Sequence, residues 1–187
     1  MEALLTQVGA RRGRLLDVGA GDGAVTEVLA QPFDHVETTE TSRGMAKRLR
    51  ERSYVCHEVD MVGHFVPKGA PFDVVSLLNV IDRTAHPLTL LAQLERVLGP
   101  DSLVVLTVPV PLRPHVHVGP RTVDPEERLP VDRKGFEAQV AALAQIAFLG
   151  SGFEVVAISR VPYLCRGYRE APVLVLDDSV FVLRMKS

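Results

Sequence analysis

The nine residues LLDVGAGDG, Leu15 to Gly23, constrain the fold more than any other stretch of this sequence. A short apolar run, typical of a buried strand, ends in three glycines, and the following residues, Ala24 to Gln31, suit a helix. Glycines let the backbone turn sharply and approach a ligand closely, and the first turn of a helix offers unpaired N–H groups to that ligand. A tight strand–helix turn without any ligand would share these features, so the stretch has to be weighed with the rest of the chain.

Apolar runs and helical patterns alternate along the remaining sequence. Further strands are expected at residues 35–40, 54–59, 72–80, 102–110, 153–163 and 179–185, and further helices at 42–52, 87–98 and 135–152. Ser42 is the expected N-cap of the first of these helices. The alternation predicts an α/β fold, with a mostly parallel sheet covered by helices on both faces. The last two strands have no helix between them and should form an antiparallel pair at the sheet edge.

Composition limits the classes of protein to which the chain can belong. Its 187 residues, 47% hydrophobic and 24% charged, fit one globular domain with a long Pro-rich loop at 109–133. The net charge of -2 argues against a nucleic-acid surface as the main partner. No apolar run is as long as a membrane span, and the first residues do not resemble a signal peptide. Cys56 and Cys165 lack the spacing of a metal site or a disulfide framework, so no metal is expected.

Glu40 supplies the second indication of a ligand. It ends the predicted second strand, about 20 residues after the glycines, where Rossmann-like units place the carboxylate that binds ribose hydroxyls. An ordinary exposed acid is the alternative interpretation. Dinucleotide enzymes share this arrangement, but the spacing of Gly19, Gly21 and Gly23 is GxGxG, and Asp17 precedes it, which favours S-adenosylmethionine over NAD as the cofactor.

Three other stretches carry polar residues at expected strand ends. Asp60 is expected either to reach an adenine amino group or to be a plain loop acid. Asn79 and Asp82, in VVSLLNVIDR, fit either turn chemistry or the ligand-binding edge of a parallel sheet. Tyr163 is expected at the same edge, where its ring could pack on a ligand or lie half-buried in the core. No Ser/His/Asp arrangement supports a hydrolase.

Six segments together resemble a known family over nearly the whole chain. LLDVGAGDG is similar to motif I of the class I S-adenosylmethionine-dependent methyltransferases. With TTETS, LLNVIDR, PLTLL, RVPYLC and VLDDSVFVL, the sequence resembles the DREV-type methyltransferases, which include protein-histidine N-pros methyltransferases. The resemblance implies a Rossmann-like sheet of seven strands with an antiparallel last strand.

The same resemblance implies roles for individual residues. Glu40, Asn79 and Tyr163 would contact S-adenosylmethionine, and Asp82 would lie at the site of the acceptor histidine. The implied substrates are proteins or peptides with His-x-His motifs, and the implied location is cytoplasmic or associated with endomembranes or mitochondria. A domain that acts only through protein contacts and a small-molecule methyltransferase are the alternatives.

Two features are unusual against that resemblance. The first strand begins close to Met1, so the N-terminal helices common in class I methyltransferases are expected to be missing, with lower activity as a consequence. His115-Val116-His117 has the His-x-His form itself and lies in the long loop. Methylation of this motif or weak metal binding is conceivable, but a solvated pair of loop histidines is the favoured interpretation.

Overall fold

The computed structural model describes residues 2–63, 65–129, 131, 134–148, 150–168 and 171–186. Its helices are α1 (Glu2–Gln7), α2 (Ala24–Leu29), α3 (Arg43–Glu51), α4 (Pro87–Gln93) and α5 (Phe136–Ala142). Its strands are β1 (Arg14–Val18), β2 (His35–Thr39), β3 (Val55–His57), β4 (Phe72–Leu78), β5 (Leu98–Val110), β6 (Val116–Val118), β7 (Arg121–Val123), β8 (Phe153–Tyr168) and β9 (Ala171–Met185). A short 3₁₀ helix, Leu94–Arg96, continues α4, and a π-helical segment, Leu143–Phe148, continues α5.

Seven strands form one sheet in the order β3-β2-β1-β4-β5-β9-β8. The five strands from β3 to β5 are parallel, whereas β9 runs antiparallel to both of its neighbours. This arrangement confirms the predicted mostly parallel sheet with an antiparallel last strand. The strand order reverses direction between β1 and β4, and such reversals open a crevice at the carboxyl ends of the strands.

Alternate residues of the central strands explain why helices cover both faces. Leu15 of β1 belongs to one buried cluster with Leu5 of α1 and Leu29 of α2. Its neighbour Leu16 belongs to the other, larger cluster, which also contains Leu90 of α4. Because successive side chains of a strand point to opposite faces, a strand that is apolar at every position has to be covered twice.

The two C-terminal strands are longer than the sequence predicts. β8 and β9 form a hairpin in which Pro162 pairs with Asp177 and Tyr163 pairs with Leu176. The prediction ended β8 at residue 163 and began β9 at residue 179, whereas the paired strands span Phe153–Tyr168 and Ala171–Met185. β8 is the edge strand of the sheet, and proline is tolerated there.

Two other predictions differ from the structure. The long loop contains a small hairpin of β6 and β7, which pairs Val116 with Val123. The helix expected over 135–152 is α-helical over Phe136–Ala142 and continues as a π-helical segment over Leu143–Phe148. In contrast, α3 begins directly after Ser42, as predicted, although the Ser42 side chain makes no capping hydrogen bond.

Candidate functional site

A cavity of about 700 Å³ lies at the carboxyl ends of β1, β2 and β4. Its size is in the range of sites that hold a cofactor or a drug-sized ligand. The residues that line it are Val18, Gly19, Gly21, Thr39, Glu40, Thr41, Met45, Val59, Asp60, Met61, Asn79, Val80, Arg83, Thr84, Ala85, Leu90, Val116 and His117.

The turn after β1 and the end of β2 are held together by Glu40. Its Oε2 accepts a hydrogen bond from the Gly21 N–H at 2.9 Å, and its Oε1 accepts one from the Ser42 N–H at 2.8 Å. Gly21 has a φ of 61°, and a Cβ placed on it would meet no atom within 4 Å. A Cβ on Gly19 would come within 2.9 Å of Val80. The glycines therefore let the backbone line the cavity without side chains.

Asp17 lies underneath this turn and not on the cavity wall. It is 3% exposed, its Oδ1 accepts a hydrogen bond from the Ser76 hydroxyl, and its Oδ2 accepts one from the Thr26 hydroxyl, both at 2.6 Å. Burial raises the pKa of Asp17, although the two hydroxyls oppose that shift. Gly23 is also behind the turn, as the N-cap of α2 with a φ of 82°. Both residues shape the turn from outside the cavity.

Asn79 lies where β4 ends and has a φ of 57°, a left-handed conformation that asparagine tolerates better than most residues. Its backbone N–H donates to the Thr107 hydroxyl, and that hydroxyl donates to the Asn79 Oδ1 at 2.8 Å. The Asn79 Nδ2 donates to the Asp178 Oδ2 at 2.9 Å. The amide of Asn79 is thus fixed at both ends by β5 and β9.

Asp82 is buried beside the cavity, with 1% of its surface exposed. Its Oδ2 accepts a hydrogen bond from the Arg83 Nε at 2.9 Å, while its Oδ1 has no partner among the residues that the structure describes. Burial raises the pKa of Asp82, and the charge of Arg83 opposes the increase. An unsatisfied buried acceptor costs about 1–3 kcal/mol, and more when it is charged. A ligand that donates to this oxygen would remove that cost.

Arg83 connects Asp82 to the long loop. Its Nη1 lies against the His115 Nε2, and the Asp82 carbonyl accepts a hydrogen bond from the His115 backbone N–H at 2.9 Å. Because a guanidinium only donates, the His115 Nε2 is the acceptor and its Nδ1 carries the proton, which is donated to the Arg113 carbonyl at 2.9 Å. Arg83 itself lines the cavity, so it covers Asp82 on that side.

The predicted site residues therefore fall into two groups. The cavity wall includes Gly19, Gly21, Glu40, Asp60 and Asn79. The residues outside the wall are Asp17, Gly23, Asp82 and Tyr163. Tyr163 is half-buried within β8 and does not end that strand as expected, and Cys165 has a side chain outside the described part of the chain.

Sequence reasoning missed Asp178 and assigned no role to Arg83. Asp178 is 3% exposed in β9, and its Oδ1 has no partner within the described ranges. Its neighbour Asp177 is half-exposed and pairs with Arg160 at 2.6 Å. The acidic pair in VLDDSVFVL, unusual inside a strand, was the available signal. Of the two loop histidines, His117 is exposed, as expected, and lies at the cavity wall, whereas His115 is half-buried against Arg83.

Searches for metal and membrane sites among the described residues found neither. No group of three or more His, Cys, Asp or Glu side chains in those residues could hold a metal ion. None of the described helices has the length and apolar character to cross a membrane.

Comparisons with known proteins agree with this geometry. The DREV methyltransferase family matches residues 2–185. A protein-L-isoaspartate O-methyltransferase from Bradyrhizobium sp. strain ORS 278 is 34% identical over 108 residues, covering 54% of this chain and 46% of that protein. The chain thus spans about half the length of this curated relative.

Solved structures with the same fold include methyltransferases of low sequence identity. A TehB-like S-adenosylmethionine-dependent methyltransferase from Corynebacterium glutamicum matches with a TM-score of 0.61 and 17% identity, covering 99% of this chain and 87% of that one. An N-methyltransferase from Bradyrhizobium japonicum, solved with S-adenosyl-L-homocysteine, has a TM-score of 0.61 and 16% identity, covering 100% and 85%. At these identities the likeness establishes the fold alone.

Proposed function

Because the chain belongs to the DREV methyltransferase family, we propose that it transfers the methyl group of S-adenosylmethionine to the N-pros nitrogen of histidine in His-x-His motifs of proteins. The observation that carries the choice of acceptor is Asp82, a buried carboxylate beside the cavity with one oxygen that lacks a partner among the described residues. The proposed roles of the individual residues depend on this arrangement.

The β1–β2 side of the cavity fits S-adenosylmethionine. Gly21 presents bare backbone to open space, and Glu40 holds its carboxylate at the wall through two backbone N–H groups. Glu40 would bind the ribose hydroxyls, and Asp60 the adenine amino group, while Asn79 marks the end of the cofactor nearest the acceptor. The bound cofactor supplies an activated methyl group on sulfur. The residues of this chain have to hold it and point it at the acceptor.

Asp82 would prepare the acceptor histidine. An imidazole nitrogen that bears a proton cannot attack, so a carboxylate that accepts the Nε2–H fixes the tautomer and leaves the Nδ1, which is the N-pros nitrogen, free to react. The ring gains positive charge as the new N–C bond forms, and a preorganised carboxylate stabilises that charge. The Oδ1 of Asp82 is the oxygen available for this contact, since the Oδ2 is engaged by Arg83.

The same charges disfavour a carboxylate acceptor such as the isoaspartate in the name of the Bradyrhizobium relative. Asp82 and Asp178 are both buried acids on the β4–β9 side of the cavity, and a third carboxylate beside them would meet like charge in a medium of low dielectric. Arg83 offsets part of that repulsion, but one of its nitrogens is already committed to Asp82. A neutral acceptor that bears an N–H fits this side of the cavity better.

The test is methylation of matched peptides with labelled cofactor. A His-Ala-His peptide should accept label, the same peptide with both histidines replaced by glutamine should not, and an isoaspartyl peptide of equal length should remain unlabelled. Mass spectrometry of fragments should place the methyl group on the N-pros nitrogen. Labelling of the isoaspartyl peptide alone would replace the proposal with carboxyl methylation, and cofactor binding without labelling of any peptide would favour a domain that acts through protein contacts.

A further inference from the structure

Asp178 is held in the sheet at a position next to the cavity, although it contributes no surface to the wall. In β9 it pairs in register with Pro109 of β5, and only 3% of its surface is exposed. Its Oδ2 accepts the Asn79 Nδ2–H at 2.9 Å, and its Oδ1 has no partner among the described residues. A buried carboxylate with one unpaired oxygen destabilises the folded protein, so folding alone does not explain why Asp178 is there.

The hydrogen bond from Asn79 ties Asp178 to the cavity wall. The Thr107 hydroxyl donates to the Asn79 Oδ1, which leaves the Nδ2 of the same amide to point at Asp178. The orientation of the Asn79 amide is therefore decided by one donor on β5 and one acceptor on β9. Removal of the Asp178 oxygen would leave that amide fixed at one end only.

Asp178 also lies within electrostatic reach of Asp82. Burial raises the pKa of Asp178, the hydrogen bond from Asn79 opposes this, and the charges of Asp82 and Asp177 raise the pKa further. On the other side of Asp82, burial raises the pKa of that residue and the charge of Arg83 opposes the increase. Arg160 forms an ion pair with the neighbouring acid, Asp177. Asp82 and Asp178 are thus two buried acids that each keep one oxygen without a partner in the described part of the chain.

We propose that Asp178 is a positioning residue of the acceptor site, which fixes the Asn79 amide and places a second negative charge behind Asp82, so that the site selects acceptors that bear an N–H and become positive. This inference rests on the proposed histidine acceptor. The second charge strengthens the hold of Asp82 on the ring N–H and stabilises the positive charge that grows during transfer. The charge of Asp82 raises the pKa of Asp178, since neighbouring like charges oppose each other's ionisation.

The charge can be separated from the hydrogen bond by one substitution. Asp178→Asn keeps an oxygen that can accept from Asn79 but removes the negative charge, so it imitates the protonated form of the native residue. The ratio of wild-type to variant rate should then be about ten at about pH 8 and fall towards one as the pH falls through the raised pKa of Asp178 and the wild-type residue becomes protonated. The titration of the acceptor peptide is common to both proteins and cancels in the ratio.

Asp177→Asn is the matched control, since it removes the same charge from the adjacent, half-exposed position. Its ratio should stay near one at about pH 8 and should not rise above one at lower pH, since loss of the Asp177 charge can only lower the pKa of Asp178. Both variants should bind S-adenosylhomocysteine like the wild type. A purely structural Asp178 would give a lower melting temperature and a ratio that does not change with pH. That result, or a near-normal rate of Asp178→Asn at about pH 8, would overturn the proposal.

A second measurement needs no variant and no turnover. In the wild-type protein with S-adenosylhomocysteine bound, the side-chain carboxyl carbon of Asp178, assigned through its backbone, is titrated by NMR with and without free imidazole. Imidazole in the acceptor site should lower the pKa of Asp178, and an unchanged titration would contradict the assignment. If the wild type methylates no histidine peptide, the proposed function fails, but this titration still reports whether the two carboxylates form a site for an N–H donor.

Discussion

The acids on the two sides of the cavity differ in how completely their oxygens are satisfied. On the β1–β2 side, Asp17 has a hydroxyl on each oxygen, Glu37 an imidazole on each, and Glu40 a backbone N–H on each. On the β4–β9 side, Asp82 and Asp178 each have a partner for one oxygen and, among the described residues, none for the other.

The difference separates groups that build a surface from groups that await a ligand. An acid with both oxygens paired fixes the backbone around it, and its hydrogen bonds are complete in the folded protein without a ligand. An acid with one unpaired buried oxygen destabilises the fold until a donor arrives, and such costs are typical of functional sites. Under the proposed function, the β1–β2 side would be a preformed site for the cofactor, and the acceptor would complete the β4–β9 side.

Replacement of Gly21 by arginine should have the largest effect, because it places a bulky side chain on the β1–β2 side of the cavity. The new side chain would extend into the space that backbone and ligand share, so Gly21→Arg should lose measurable binding of S-adenosylmethionine in calorimetry. Gly119→Arg is the matched control, since Gly119 has a similar φ of 58° and equally open surroundings in the turn between β6 and β7. Wild-type affinity in the Gly21 variant would show that the cofactor does not lie over this turn.

Asp82→Asn should affect the other side of the cavity only. We expect methylation of a histidine peptide to fall by roughly 100-fold, as for other positioned electrostatic groups, with unchanged cofactor affinity. If Asp82 merely closes the turn after β4, the melting temperature should fall while turnover per folded molecule stays near normal. Cofactor calorimetry, thermal unfolding and peptide methylation on this one variant separate the two roles.

Local patterns made the β1–β2 side predictable from the sequence. The glycines, Asp17 and Glu40 lie within 24 residues of one another, and each sits next to a strand or turn that its own neighbours specify. The parallel order followed from alternating strands and helices, so the main sheet could be predicted as well. What the sequence did not indicate there was the placement of Asp17 and Gly23 behind the turn.

Long-range pairing made the β4–β9 side unpredictable. Asp178 reaches Asn79 across 99 residues of sequence, through a strand that begins earlier than predicted. Arg83 was visible only as a neighbour of Asp82, because its contact with His115 depends on where the long loop folds. Tyr163 was expected at a strand end, but β8 continues to Tyr168, and Tyr163 is not among the residues that line the cavity.

Glu37 tests whether a fully paired acid contributes to stability, as the comparison requires. It is buried in β2, and although burial raises its pKa, the hydrogen bonds from His57 and His35 outweigh this and hold the pKa below its ordinary value. A lowered pKa means stabilisation that is present above the unfolded pKa of about 4.3 and is lost as the pH falls through the lower, folded value.

Glu37→Gln should therefore lower the free energy of unfolding by about 1–3 kcal/mol near neutral pH, and by progressively less as the pH falls below about 4. Urea unfolding of both proteins across this range gives the difference directly. Glu58→Gln, which removes a more exposed acid paired with Arg50, should change stability by less than about 1 kcal/mol. A difference between wild type and the Glu37 variant that does not depend on pH would contradict the ionic role.

Arg83→Gln should give the smallest effect, because it alters Asp82 without removing it. Burial raises the pKa of Asp82 and the Arg83 charge opposes that shift, so loss of the charge should raise the pKa further. Asp82 must be ionised to accept the ring N–H, and the acid limb of methylation should therefore move to higher pH. The ratio of wild-type to variant rate at saturating peptide should approach one at high pH and rise to several-fold as the pH falls into the range where Asp82 of the variant is already protonated. Arg113→Gln, an exposed arginine in the same loop, should leave the ratio near one throughout. A rise in the variant's rate at low pH would mean that Arg83 mainly blocks Asp82, and the β4–β9 side would then be closed by its own arginine until the acceptor displaces it.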